Sequence, residues 1–199
     1  MAIISLVQAR LPGGAKRDSL LKECRLKFLS RDIRTVTLAN SCGIHAIQDG
    51  LYATIYVLLP VLAPIFGLTL FQVGFIRAAY SSAMVLFQIP SGMLSERFGE
   101  RILLVFGLSC AGSAFLFLAF APGVAIVALA LILAGLGGAF HHAPSSSIIV
   151  SAFKDTGRRA ALGVYNAAGD VGKLTFSGIF TLAIGLGIAW NILLPDSAF

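Results

Sequence analysis

The sequence predicts an all-α membrane protein with five complete transmembrane helices and a truncated sixth. Between Ile102 and Phe153 the chain runs 52 residues without an Asp, Glu, Lys or Arg, broken only by an Ala-Pro-Gly turn at 121–123. A helix needs about 20 mostly apolar residues to cross the hydrocarbon core, so this run holds two spans. Over the whole chain 57% of residues are apolar and 12% are charged, whereas globular domains carry about 25% charged residues.

The N-terminal residues 1–34 are predicted to form a basic cytoplasmic segment. Eight of the fifteen Lys and Arg residues lie there, and such a cluster next to a span binds anionic membrane lipid. The net charge of +6 therefore needs no nucleic acid to explain it. Apolar residues recur at helical spacing from Leu20 to Leu29, which is typical of an amphipathic helix on the membrane surface. The alternative is a flexible basic tail, or leader residues from a start codon assigned too early, and these interpretations stay open.

Residues 35–199 are predicted to form the transmembrane bundle. Gly67–Thr69 is a short uncharged link after the first span, a charged loop at 95–101 follows the second, and Pro122 separates the third from the fourth. About a dozen residues follow the fifth span, too few to cross a bilayer, so the sixth helix is incomplete. The predicted spans are 36–66, 71–93, 102–120, 124–150 and 160–186.

The loops predict the orientation. Those after spans one and three carry no charge, whereas those after spans two and four carry five basic residues. Because cytoplasmic loops are enriched in Lys and Arg, we expect a multi-pass inner-membrane protein with a cytoplasmic N-terminus. The five basic residues are Arg97, Arg101, Lys154, Arg158 and Arg159.

The segment GMLSERFGER at 92–101 resembles the signature between the second and third helices of the major facilitator superfamily. Glu96 supplies the acid of that signature, while Glu100 stands where the family usually has a base. The resemblance assigns this segment the role of a gating loop, in which glycines allow a tight turn and charges bracket the helix ends. Its key residues are Gly92, Glu96, Arg97, Gly99 and Arg101.

Two further motifs resemble the fosmidomycin-resistance-like branch of that superfamily. His45, Asp49 and Gly50 are similar to part of its first helix, and Phe140–Pro144 is similar to a His-Pro element in its fourth. The His-Pro spacing is altered in this chain, and Asp170 stands where the branch more often has a neutral residue. The resemblance covers about residues 36–190.

This resemblance implies one half of a twelve-helix transporter that moves a small solute by proton-coupled alternating access, with export as the direction. The partner would be a missing C-terminal six-helix half, and helices one, two, four and five would face the central cavity. The alternative is a truncated or accessory membrane protein that packs against a partner without transporting. No nucleophile with a partnered base occurs in the sequence, so neither an enzyme nor a cofactor is expected.

Ionisable residues inside the spans are the candidate functional groups, because a charge at the centre of a span costs about 2.5 to 3.5 kcal/mol on insertion scales. Burial favours the neutral form of a carboxylate and a nearby cation favours its charged form, so helix movement could switch Asp49. The candidates for proton coupling are Asp49, His45 and Asp170, and those for substrate binding are Arg77, His141 and Lys173.

Each candidate also has a structural interpretation. Asp49 could simply bond His45 one turn away, Asp170 and Lys173 could form an internal ion pair, and Arg77 could extend to the outer headgroups. His141 and His142 are adjacent, so we expect only one to face a site. A metal site formed by His45, Asp49 and one of these two histidines is possible by ligand type, but hydrogen bonding between helices is the preferred interpretation and no metal is expected.

Glycine spacing predicts where the spans pack closely. The fourth and fifth spans include small residues at four-residue spacing, such as Ala134 and Gly138 or Gly163 and Ala167, which lets helices approach in lipid. The glycines among the small residues of these spans include Gly135, Gly138, Gly163, Gly172 and Gly178.

Overall fold

The computed structural model describes residues 14–153 and 157–187, which form five helices with short connections. The helices are α1 (Gly14–Ile65), α2 (Leu70–Phe98), α3 (Glu100–Ala119), α4 (Val124–Ala152) and α5 (Arg158–Gly185). The prediction of an all-helical fold is therefore confirmed for the residues that the structure describes.

Helix α1 is continuous over 52 residues, with Pro60 and Pro64 in its last turns. Segment 14–34 is thus helical and runs directly into the first predicted span. The position of this segment relative to the lipid remains a prediction.

Among the described residues, four helical segments are long and apolar enough to cross a bilayer: Asp32–Ile65, Leu70–Phe98, Glu100–Ala119 and Val124–Ala152. The prediction of five complete spans and a truncated sixth is not matched. Helix α5 is long enough, but Asp170 and Lys173 lie near its centre and reduce its apolar character. The predicted start of a sixth span falls mostly outside the described residues.

The connection between α2 and α3 is a single residue. Gly99 has φ 87° and ψ 144°, a conformation that is essentially restricted to glycine. Its N–H donates to the Ser95 carbonyl at 2.9 Å and closes the last turn of α2. At the other end of α2, Thr69 and Gln72 form a capping box.

The helices pack in two groups, α5 along α1, and α4 against both α2 and α3. Glycines allow the closest approaches: a Cβ added at Gly172 would collide with the backbone of Ala46, and one at Gly107 would lie 2.9 Å from the Gly137 carbonyl oxygen. Gly178 faces open space, so glycine spacing alone did not identify which glycines pack. The main apolar core is formed by residues of α1, α2, α3 and α4. It includes Tyr52, Leu59, Ile76, Ala114 and Leu131.

Candidate functional site

Asp49 is the centre of a buried polar cluster where α1, α4 and α5 meet. The residue is 6% exposed, and three side chains surround its carboxylate. Lys173 Nζ lies 3.1 Å from Oδ2, His45 Nε2 lies 3.6 Å from the same oxygen, and His142 Nε2 lies 3.6 Å from Oδ1. The cluster therefore joins three helices through one carboxylate.

Lys173 connects this carboxylate to a second one. Its Nζ donates to Asp170 Oδ1 at 3.0 Å, one turn back on α5. Lys173 is half-exposed, whereas Asp170 is 71% exposed. The intrahelical ion pair expected from the sequence is thus present, but its ammonium is shared with the buried Asp49.

Both adjacent histidines lie near the His45 ring, but of the two His142 alone contacts Asp49 and lines the cavity described below. The His45 ring centroid lies 5.7 Å from that of His141 and 5.3 Å from that of His142. The centroids of the His141 and His142 rings are 5.6 Å apart, at an interplanar angle of 70°. His142 contacts Asp49, while His141 is 1% exposed and its Nε2 is 3.5 Å from the Tyr165 hydroxyl.

Tyr165 forms the wall of the cluster on the side of α5. Its ring stacks on His45 with a centroid distance of 3.9 Å and an interplanar angle of 10°. Gly169, one turn further along α5, leaves the space that His45 and Asp49 occupy, because an added Cβ would lie 2.5 Å from His45 Nε2. Tyr165 and Gly169 together position the imidazole beside the carboxylate.

A cavity of about 330 Å³ opens beside Asp49. Its lining comes from α1, α2, α4 and α5, the four helices that the family resemblance placed around a cavity, and α3 does not contribute. Three tyrosines and a methionine form much of the wall. The lining residues are Asp49, Tyr52, Ala53, Tyr56, Tyr80, Ser81, Met84, His142 and Lys173.

Arg77 lies on α2 and contacts α1. Its guanidinium carbon is 4.3 Å from the centroid of the Tyr56 ring, a cation–π contact. The structure thus places Arg77 against an aromatic wall residue of the cavity. Of the other candidates, His45, Asp170 and Lys173 belong to the cluster around Asp49, whereas His141 lies behind it, near His45 and Tyr165.

His45, Asp49 and His142 form a possible metal-binding set, since one ligand atom from each lies within 4.8 Å of the others. Imidazole and carboxylate are ligands for zinc and related ions. The Lys173 ammonium is 3.1 Å from Asp49 Oδ2, so a positive charge already lies against this carboxylate. The arrangement therefore favours an ion-pair cluster over metal coordination.

Comparison with known proteins identifies the family. Residues 42–194 match the Major Facilitator Superfamily. The chain belongs to this superfamily. Membership confirms the prediction of a multi-pass membrane protein, and it confirms that the chain is not an enzyme.

Three relatives within the superfamily have low to moderate identity. A D-galactonate transporter of Escherichia coli O6:H1 is 26% identical over 144 residues, which are 64% of this chain and 33% of that protein. An uncharacterized MFS-type transporter of Bacillus subtilis, YfnC, is 28% identical, covering 65% and 31%. A class G tetracycline resistance protein of Vibrio anguillarum is 31% identical, covering 60% and 30%.

The chain spans about a third of the length of these curated relatives. No solved structure matches it.

The superfamily signature at 92–101 lies almost entirely within helices. Gly92 and Glu96 belong to the last turns of α2, Arg101 belongs to the first turn of α3, and only Gly99 lies between them. The predicted loop at 95–101 is therefore wrong in its extent, because one residue with positive φ suffices to reverse the chain. Arg97 lies with its guanidinium 5.5 Å from the Phe98 ring centroid.

Glu100, the acid that departs from the superfamily signature, has a specific partner. Its Oε1 accepts a hydrogen bond from Ser147 Oγ of α4 at 3.0 Å. The bond ties the first residue of α3 to α4.

Sequence reasoning did not assign three residues around Asp49 to the site: Gln48, Tyr52 and Tyr165. Gln48 Nε2 donates to the Tyr52 hydroxyl at 3.1 Å and lies 3.4 Å from the Gly137 carbonyl. Tyr165, Gly169 and Gly172 recur at positions i, i+4 and i+7, so they share one face of α5. This shared face is the sequence pattern from which a packing role of Tyr165 could have been predicted.

Proposed function

We propose that this chain is the N-terminal half of a proton-coupled secondary transporter that exports a small solute. In the complete transporter a second six-helix half would close the cavity, and the N-terminus would lie in the cytoplasm of an inner-membrane protein. The supporting observation is the arrangement at Asp49, where one buried carboxylate contacts groups from three helices beside an open cavity.

Asp49 is the proposed proton carrier. His45 faces it from α1, His142 from α4, and Lys173 from α5, while Tyr52 and Tyr80 line the same cavity. When Asp49 is charged, its attraction for Lys173 holds α1 and α5 together. When a proton neutralises Asp49, Lys173 keeps Asp170 as its partner, and the electrostatic link between the helices weakens. This exchange couples proton binding to rocking between inward-open and outward-open states.

His45 and Asp170 have separate roles in this exchange, His45 at the Asp49 carboxylate and Asp170 at the Lys173 ammonium. His45, stacked on Tyr165, fixes one face of the carboxylate and can pass a proton to it. Asp170 holds Lys173 when Asp49 is neutral. Arg77, His141 and Lys173 are proposed to contact the solute or to shape the cavity in which it binds.

The proposed direction and branch rest on the sequence motifs, and the named relatives suggest solutes to test. The named relatives include a D-galactonate transporter and a tetracycline resistance protein, and their cargoes define the first solutes to test. The fosmidomycin-resistance-like branch is proposed from the motifs at 45–50 and 140–144. Export is the direction that this branch implies.

The deciding experiment uses Asp49→Asn in the complete transporter reconstituted into proteoliposomes. An imposed pH gradient should drive flux of a transported solute with the native protein, and Asp49→Asn should abolish it while membrane insertion stays intact. Glu23→Gln is the matched control, since it also converts an acid to an amide but at an exposed position outside the candidate spans. Unchanged proton-driven flux in Asp49→Asn would remove Asp49 from the mechanism.

A solute screen accompanies this test. D-galactonate, tetracycline and a set of sugars, organic anions and organic cations are assayed as substrates of the native protein. If none moves while the protein is folded and inserted, the alternative of an accessory protein without transport activity replaces the proposal.

A further inference from the structure

A second group of buried polar side chains adjoins Asp49 without lining the cavity. Each of its four members is at most 4% exposed, and none belongs to the cavity wall. Burial of ionisable and polar groups at membrane depth is costly, so such groups need a functional explanation. The four residues, which together form the buried file, are His45, His141, Ser145 and Tyr165.

The members of the buried file contact one another in order. The Ser145 hydroxyl is hydrogen-bonded to that of Tyr165, and the Tyr165 hydroxyl lies 3.5 Å from His141 Nε2. The His141 ring lies parallel to that of His45 within 18°, with the centroids 5.7 Å apart. His45 Nε2 in turn lies 3.6 Å from Asp49 Oδ2. Hydroxyls and imidazoles both donate and accept hydrogen bonds, so each member can take up one proton and release another.

The two imidazoles have the same unsatisfied atom. His45 directs Nε2 to Asp49, and His141 directs Nε2 to Tyr165. The Nδ1 atoms of both rings are buried and have no hydrogen-bond partner among the described residues. Buried polar atoms are nearly always paired with protein or with ordered water. A water at about 2.9 Å from each of two nitrogens spans up to about 5.8 Å, which fits the ring separation, so one water molecule can join the two rings.

The buried file leads away from the cavity. Ser145 is seven residues before the last residue of α4, and Tyr165 is seven residues after the first residue of α5. At about 1.5 Å per residue, both lie about 10 Å from the membrane side on which α4 ends and α5 begins. The cavity residues Tyr52 and Tyr56 follow Asp49 towards the opposite end of α1. Asp49 therefore lies between the cavity and the buried file.

Apolar side chains close the far end of the buried file. Ile149 and Ala161 pack with Tyr165, and Phe153 and Leu162 pack against them. Apolar constrictions of this kind close pores by excluding water. A solute cannot pass this layer, whereas a small separation of α4 from α5 would admit water to the Ser145 hydroxyl.

We propose that the buried file, completed by one water between His45 and His141, is a proton route to Asp49 that is separate from the cavity in which the solute binds. The inference rests on the proposed transport function and adds the path that the proton takes. It assigns His141 to proton transfer, while Arg77 and Lys173 remain the candidate groups for the solute.

Each proton transfer along this route is balanced. His45 gives its Nε2 proton to Asp49 and takes one at Nδ1 from the bridging water, which the Nδ1 proton of His141 restores. His141 then takes the Tyr165 hydroxyl proton at Nε2, and Tyr165 takes that of Ser145. Ser145 is reprotonated by water when the apolar layer opens. The net result is one proton moved to Asp49, and the reverse sequence releases it.

The test uses Tyr165→Phe in the complete transporter in proteoliposomes. This variant keeps the ring that stacks on His45 and removes only the hydroxyl. Flux driven by a pH gradient should fall at least about tenfold, because a positioned proton-transfer group contributes roughly 10²- to 10⁴-fold. Counterflow of labelled solute at equal pH on both sides needs no net proton transfer and should stay at the native rate. The solute is D-galactonate or tetracycline, whichever the native protein moves, and movement of neither defeats both proposals.

Two further variants interrupt the buried file at other members. Ser145→Ala should lower proton-driven flux and spare counterflow, whereas Ser91→Ala, an equally buried serine on α2 outside the file, should keep the native rates of both. His141→Gln keeps a hydrogen-bonding side chain but loses the imidazole that takes a proton at one nitrogen and releases one at the other, so it should resemble Tyr165→Phe. Each variant is first checked for a monodisperse peak in gel filtration, and Ser145→Ala, the smallest change, carries the test if a ring variant does not fold.

A solvent isotope effect separates proton transfer from packing. In Tyr165→Phe and Ser145→Ala the ratio of proton-driven flux in H₂O to that in D₂O should rise above the native ratio, because proton transfer becomes rate-limiting. A variant that only loosens the packing of α4 and α5 would leave this ratio unchanged.

Two results would overturn the inference. One is native proton-driven flux in Tyr165→Phe, Ser145→Ala and His141→Gln alike. The other is an equal loss of proton-driven flux and counterflow with the native isotope ratio, which would assign the buried file a packing role. Both leave the transport proposal standing if Asp49→Asn still abolishes proton-driven flux, so the failures of the two proposals are distinguishable.

Discussion

Gly172→Ala tests the close packing of α1 and α5, on which the site depends. A Cβ at this position would collide with the carbonyl group and Cα of Ala46. These are backbone atoms of a helix, so no side-chain rotation can relieve the overlap. The two helices must move apart or tilt to accept one methyl group.

The size of this movement follows from the distances. The added Cβ would lie 2.6 Å from the Ala46 carbonyl carbon, whereas carbon atoms pack at about 3.5 to 4.0 Å, so the helices must separate by about 1 Å. An equal displacement would lengthen the Lys173–Asp49 contact from 3.1 Å to about 4 Å, the limit for an ion pair. Overpacking of this kind costs about 1 to 3 kcal/mol.

The assay is chemical unfolding of the purified protein in detergent, followed by circular dichroism. Gly172→Ala should lower the free energy of unfolding by about 1 to 3 kcal/mol. Gly178→Ala is the matched control on the same helix, because its Cβ meets no atom within 4 Å and alanine is the better helix former by up to about 1 kcal/mol. If both variants were equally stable, the close approach of α1 and α5 would be refuted.

Three further substitutions test helix ends. Thr69→Ala removes the capping box of α2 and should cost about 1 kcal/mol of unfolding free energy, which the same denaturation assay measures; no loss would argue against the cap. Gly99→Ala places a side chain at φ 87° and ψ 144° and should cost about 1 to 3 kcal/mol, whereas Gly112→Ala, in open space on α3, should not destabilise. Ser147→Ala removes the donor to Glu100 and should cost about 1 kcal/mol; a double-mutant cycle with Glu100→Gln should show coupling, and additivity would contradict the bond.

The long apolar runs of the sequence predicted the helices well, because a lipid environment restricts the backbone to few conformations. Every backbone polar group within hydrocarbon must be satisfied inside its own segment, so an uncharged run of sufficient length is helical. The run from Ile102 to Phe153 accordingly forms α3 and α4. Helix α5 is an exception to this rule. Asp170 and Lys173 lie near its centre and belong to the ion-pair cluster, and they lower the mean hydropathy of the helix.

The site was predictable only within single helices. Spacing places His45 and Asp49 on one face of α1, and Asp170 and Lys173 on one face of α5. The contact between Lys173 and Asp49 depends on the rotation and depth of one helix relative to the other, which spacing does not encode. The histidine pair shows the same limit: adjacent rings diverge, but a third ring from α1 lies close to both.

Glycines connect the fold to the site. Gly172 brings the backbone of α5 against Ala46, and Gly169 leaves the space in which His45 and Asp49 lie. Lys173 follows Gly172 directly, so the close approach itself brings the ammonium within reach of the carboxylate. A change in the separation of α1 and α5 must therefore change the charge pairing, and a change in the pairing must alter the force between the helices. The proposed proton coupling requires this reciprocity, because linkage makes the effect of the proton on helix position equal to the effect of helix position on proton affinity.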